Sequence, residues 1–211
     1  SIWRRASVPA PALEKLAQAD AFSSMGLSRR DALWAIKPLR RTMSPLPLFA
    51  AAGAAELGEE LDVPLPRMSV GEEVVEDYAS LRMTLRAHPL RLVRHRLGTA
   101  IPSDRLPDVP DASLVTVAGL VLVRQRPGTA KGVIFVTLED DTGVSNVIVW
   151  PKVLEEFRCV VLSARLMRVT GKLQREGIVT HIVADKIEDL SDLLDSLCLL
   201  YTSPSPRDTE V

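Results

Sequence analysis

Phe135 and Asn146 fall in one hairpin pattern. Together they suit an unpaired base, because a ring can stack on it and an amide can bond its edge. Just before them runs a basic loop, RPGTAKG, preceded by Arg124. Its Arg126 and Lys131, with Arg124, are the groups expected to meet phosphates. Thr137 shares the strand of Phe135, and Lys172 and Arg175 follow in a later basic run. These residues make up the candidate nucleic-acid-contacting set. Alternation puts Phe135 and Thr137 on one face and Ile134, Val136 and Leu138 on the other. The aliphatic set should face the core, leaving Phe135 outward; a ring packed under the basic loop fits the same alternation. Folding the hairpin about Asp140 and Asp141 predicts Asn146 opposite Phe135.

Catalytic chemistry is not legible. Nucleotidyl transfer needs carboxylates clustered around paired metal ions. Glu139, Asp140 and Asp141 form a carboxylate run, but it falls between two apolar runs, where surface turn chemistry accounts for it. There is no Ser/His/Asp arrangement, and the Gly128/Gly132 loop lacks the ending of a Walker motif. Two cysteines, Cys159 and Cys198, make neither a disulfide framework nor a four-cysteine metal site. The three histidines are scattered, so no metal is expected.

The elements that must position this set follow from the pattern of runs. VTVAGLVLVRQ, then VIFVTLEDDTGVSNVIVW, then the amphipathic PKVLEEFRCVV, then ARLMRVTGKL and IVTHIVADKI read as three strands, a helix and two strands. That is the order of a five-stranded Greek-key OB barrel. Gly119 inside the first run predicts a barrel-corner bend, and Gly171 a second.

Composition sets the outer limits. The chain has 211 residues, 46% hydrophobic and 4% aromatic, with net charge −1. From Leu114 to Ile187, however, ten Lys/Arg face seven Asp/Glu, a local basic excess that suits nucleic acid. No run is long enough to span a membrane, and cysteine usage fits a cytoplasmic protein. The chain starts at Ser1 in mid-pattern, which is expected of a piece of something longer.

Upstream, 1–39 reads as two short helices. Leu13, Leu16, Ala17 and Phe22 lie on one side of the first, and Ser28 with Asp31 caps the second. Arg29 and Arg30 at that helix start could hold a phosphate or simply border a packed helical corner. Residues 40–68 are a Pro/Ala-rich linker. Within it, Leu46, Leu48 and Phe49 in a Pro-stiffened segment suit either docking into a partner or pinning the linker to its own domain. Residues 69–111 hold a helix with Val74, Val75, Tyr78, Leu81 and Leu85 as its apolar stripe, a basic segment of Arg91, Arg94, His95 and Arg96 that reads as a solvated helix face or a phosphate-facing patch, and a second linker. Residues 112–190 are the barrel, and 191–211 a tail expected to be disordered and foreign to the rest.

The run VAGLVLVRQRPGTAKGVIFVTLEDDTGVSNVIVWPKVLEEFR closely resembles the C-terminal OB domain of the bacterial error-prone DNA polymerase III alpha chain, a non-replicative family C polymerase. ADAFSSMGLSRRDALWAI, LPLF and GEEVVEDYASLRMTLRAHPL agree with it. The resemblance implies an α+β chain. Its N-terminal helices would end a helix-hairpin-helix-like region that grips duplex DNA, and its C-terminal OB barrel would bind single-stranded template. It implies a parent DNA-directed DNA polymerase using Mg for translesion synthesis and DNA repair. The catalytic palm would lie outside this chain, which alone would be inactive and hold no cofactor. The sliding clamp and accessory translesion proteins are implied partners, with Pro45–Phe49 in the place of a clamp-binding peptide but without its leading Gln. FVTLED…VSN is also similar to the anticodon-binding OB domains of class II aminoacyl-tRNA synthetases. There the aromatic matching Phe135 stacks on a base and the residue matching Asn146 reads one. A docking module for polymerase partners and a tRNA-binding module remain the alternatives.

Overall fold

The computed structural model describes residues 7–40, 65–177 and 179–198. The segment with Leu46, Leu48 and Phe49, and the tail from 199 on, lie outside the described residues. The chain divides into two compact units, Ser1–Leu85 and Arg86–Val211, so the boundary falls inside the 69–111 segment.

In the first unit, α1 (Ala10–Gln18) begins after Pro9, where a missing N–H costs nothing. Gly26, at φ +78°, turns the chain toward α2 (Arg29–Ile36), and a reciprocal Ser28/Asp31 capping box opens that helix. Leu13, Ala17, Ala32 and Ile36 form the core here, with Phe22 packed on it; Leu16 is instead exposed. The Ser69/Glu72 capping box starts α3 (Val70–Leu81).

In this unit one expectation fails, and of two alternatives the packed helical corner is the one found, for one reason. The buried side of α3 carries Val74 and Asp77, whereas Leu81 and Leu85 are exposed. Asp77 is buried because Arg29, only 1% exposed, is paired to it and to Glu73 at 3.2 Å. Arg30 donates to Glu72 at 2.9 Å and to the Pro66 carbonyl. Both guanidinium groups therefore serve α3 rather than forming a phosphate cradle. A buried ion pair of this kind fixes a partner more than it adds stability.

In the second unit, a short helix α4 (Pro89–Val93) leads to Arg94. The five strands are β1 (Leu114–Gln125), β2 (Ile134–Glu139), β3 (Val144–Val149), β4 (Leu166–Glu176) and β5 (Val179–Asp189). They close in the order β1-β2-β3-β5-β4, so the OB barrel stands as expected. Helices α5 (Pro151–Glu156) and α6 (Arg158–Ser163) run between β3 and β4, and their Leu154 and Val161 join the barrel core. A last turn of helix, α7, covers Asp192–Asp195.

Both glycines mark close approaches. A Cβ on Gly119 would lie 2.8 Å from Leu138 Cβ, and one on Gly171 would overlap the Val183 carbonyl. Gly119 sits where β1 leaves β4 for β2, and Gly171 at a register shift between β4 and β5.

One carboxylate of the acidic turn is not on the surface. Asp140 is 4% exposed and accepts from Ser103 N, Thr142 N, Gly143 N and the Arg94 guanidinium. Arg94 also grips Asp141. It is therefore neither a solvated helix face nor a phosphate contact: it ties the segment before the barrel to the β2–β3 turn. Burial pushes the Asp140 carboxyl up, but hydrogen bonds from Thr142, Ser103 and Arg94 outweigh it and hold the group below its ordinary value.

Candidate nucleic-acid interface

Strict alternation separates the two faces of the β2–β3 hairpin. Ile134, Val136, Leu138, Val147 and Val149 are buried in the barrel, while Phe135, Thr137, Asn146 and Ile148 are half-buried on its outer side. Phe135 thus lies on the outer face. Its partner across the ladder is Ile148, and Asn146 stands opposite Thr137. The expected Phe135/Asn146 pairing is corrected by the turn. Asp140 N donates to the Gly143 carbonyl at 2.9 Å, so the hairpin pivots one residue later than Asp140/Asp141. Moving the pivot by one shifts each partner by two and keeps the face.

The strand registers build two rows across the barrel. One runs Gln125, Phe135, Ile148, Val183, Lys172; the next runs Val123, Thr137, Asn146, His181, Gln174. The first row has an aromatic and aliphatic centre with a cation at one end. The second is mostly hydrogen-bonding groups, with the Thr137 hydroxyl donating to the Asn146 amide oxygen at 3.3 Å. That bond leaves the amide NH₂ to donate outward. His181 Nδ1 is shielded from solvent and has no hydrogen-bond partner.

The β1–β2 loop is made by two successive turns, with Ala130 N donating to Pro127 O and Val133 N to Ala130 O. Lys131 and Gly132 both have positive φ, +47° and +89°. The point a Cβ on Gly132 would occupy lies 3.7 Å from Arg126 Nη2 and 3.5 Å from Pro151 Cγ. Arg126, Lys131 and Lys172 are exposed and, among the described residues, make no ion pair or side-chain hydrogen bond. By contrast Arg168, on the outer side of β4, is closed bidentately on Glu188 at 3.0 Å.

Two members of the sequence-derived set are not on this face. Arg124 points to the inner side of the β1 end, where its guanidinium donates to Val161 O at 2.6 Å and to Ala164 O, capping α6. Burial lowers its pKa. Arg175 donates to the carbonyls of Pro107 and Val109, at 2.9 and 3.0 Å, fastening the segment before β1. The ladder thus carries Phe135, Thr137, Asn146 and Lys172 on one face, Arg126 and Lys131 lie in the loop that leaves β1 after Gln125, and Arg124 and Arg175 are bonded to scaffold carbonyls.

Trp150 was missed. It follows β3 in extended conformation (φ −71°, ψ 155°), so the alternation Asn146, Ile148, Trp150 continues on the outer face, and it is 53% exposed. Counting by two from Asn146 would have found it. His181 and Gln174 needed the β5 register, which no local pattern supplies. Among the described residues no group of three or more His, Cys, Asp or Glu gathers as a metal site. None of their helices is long and apolar enough to cross a membrane.

Residues 115–190 match the family model described as an OB-fold nucleic acid binding domain, tRNA_anti-codon. The chain is 56% identical over 197 residues to the error-prone DNA polymerase of Ruegeria pomeroyi, covering 93% of this chain and 18% of that protein. It is 52% identical over 207 residues to error-prone DNA polymerase 1 of Agrobacterium fabrum, covering 93% and 18%. It is 50% identical over 204 residues to error-prone DNA polymerase 2 of Rhizobium meliloti, covering 93% and 19%. The chain thus spans under a fifth of the length of these curated relatives. Among solved structures it is similar to asparaginyl-tRNA synthetase from Pyrococcus horikoshii, with TM-score 0.33 and 24% identity, covering 38% of this chain and 20% of that one. The S. pombe Stn1-Ten1 complex is similar at TM-score 0.32 and 19% identity, covering 39% and 61%.

Proposed function

On the premise that this chain belongs to the error-prone DNA polymerases as a segment of them, we propose that its barrel holds single-stranded template DNA for that enzyme. The observation that carries the reading is the row Gln125, Phe135, Ile148, Val183, Lys172 on the outer face, with unpaired Arg126 and Lys131 in the loop that continues from Gln125. Base stacking on an aromatic ring is tolerant of sequence, as a polymerase that meets any template requires. Phosphates beside it are held by cations that no carboxylate neutralises.

In this reading the parent is a DNA-directed DNA polymerase in translesion synthesis and repair, acting in the cytoplasm, with Mg at a palm outside this chain. The chain alone binds but does not polymerise. Contact with the sliding clamp or accessory translesion proteins belongs to the same proposal, through Leu46, Leu48 and Phe49.

The test is a titration of the 211-residue chain with labelled single-stranded DNA, duplex DNA and tRNA across a salt series. Preferred, salt-weakened binding of the single strand supports the reading. Preference for tRNA favours an anticodon-type module and overturns it.

A further inference from the structure

We propose that the cleft between the root of the β1–β2 loop and the α5–α6 plug is a phosphodiester subsite, with Arg158 and Arg126 as its clamp. The inference rests on the barrel's proposed role as a single-strand binder and extends the strand's path off the sheet.

Three arginines line this cleft, Arg124, Arg126 and Arg158, and no acidic residue does. Arg124 is fixed there by the Val161 and Ala164 carbonyls. Among the described residues Arg126 and Arg158 have no ion pair or side-chain hydrogen bond. Cations gathered without a counter-charge repel, and an anion between them relieves that repulsion. Ile134, Leu154 and Leu162 supply an apolar side, which suits a sugar next to its phosphate.

Size narrows the ligand. The cleft holds about 170 Å³, below the roughly 300–1,000 Å³ of pockets that enclose a whole small molecule. It fits a phosphate with part of its sugar, the base remaining outside. Continuity identifies the source, since Gln125 lines the cleft and is also the ladder partner of Phe135. A strand stacked on Phe135 therefore has its next phosphate at the mouth of the cleft. An acidic peptide would satisfy the charge but gains nothing from the adjoining row.

The experiment uses the full chain and fluorescein-labelled oligothymidylate, with anisotropy read over a salt series. Arg158→Gln should weaken binding roughly tenfold and make the log–log salt slope shallower by about 0.7, one phosphate on a single strand. Arg158→Lys should recover the slope, which a merely misfolded variant would not. Phe135→Ala should weaken binding with the slope unchanged. If Arg158→Gln matches wild type while Phe135→Ala weakens, the cleft assignment is overturned and the stacking face stands. Failure of the unmodified chain to bind oligothymidylate overturns both. Loss of poly-glutamate binding in Arg158→Gln, with oligothymidylate unaffected, overturns the assignment in favour of an acidic peptide.

Discussion

The Thr137 hydroxyl donates to the amide oxygen of Asn146, its ladder partner, at 3.3 Å. This contact orients the amide on the outer face, with its NH₂ free to reach a base acceptor. Removing it should change which base is preferred more than how tightly a strand is held. Asn146→Ala is expected to level the affinities for oligothymidylate, oligocytidylate and oligoadenylate, each losing under about 1.5 kcal/mol. Competition titrations check this; an undiminished preference among the three would show that the amide reads nothing.

The Asp140 hub makes a separate prediction about stability. Its side chain satisfies Ser103 N, Thr142 N and Gly143 N in a site closed to water. Asp140→Ala leaves those donors without partners and should cost roughly 2–4 kcal/mol. Denaturant melts of the two proteins measure it.

The same group sets a pH dependence. The Asp140 pKa is lowered in the fold, so its contribution is fully present above the unfolded carboxyl value of about 3.9. It declines as pH falls below that value through the lowered one. Asp140→Asn should therefore flatten the acid limb of the stability profile below about pH 4. An acid limb identical to wild type would remove Asp140 from the account.

Gly171→Ala should be worse than most core substitutions. Its Cβ would collide with the Val183 carbonyl, which is backbone and cannot rotate away. Closure between β4 and β5 would have to open, at about 3 kcal/mol or more. A melting temperature within a few degrees of wild type would show that the bulge relaxes freely.

These sites differ in how far the sequence alone revealed them. Strand order, the special positions of Gly119 and Gly171 and the outward turn of Phe135 were legible, because period-two patterning and glycine sterics are local. The partner of Asn146 was not, since one residue of uncertainty in the turn moves a register by two. Asp140, Arg94, Arg124 and Arg175 were misread for a related reason. A charged residue shows its charge in the sequence, but whether it faces solvent or a carbonyl depends on chain 30 to 70 residues away, as with Arg175 and Pro107. Arg29 and Asp77 repeat the lesson in the helical unit.

The most direct measurement of the central claim is single-stranded DNA affinity of the full chain, with and without Phe135→Ala. Stacking on the outer side of β2 predicts a loss of about 1–3 kcal/mol in binding from a protein that stays folded, its melting temperature lowered only by the lost contact with Ile148. Equal affinity in the two proteins would contradict it.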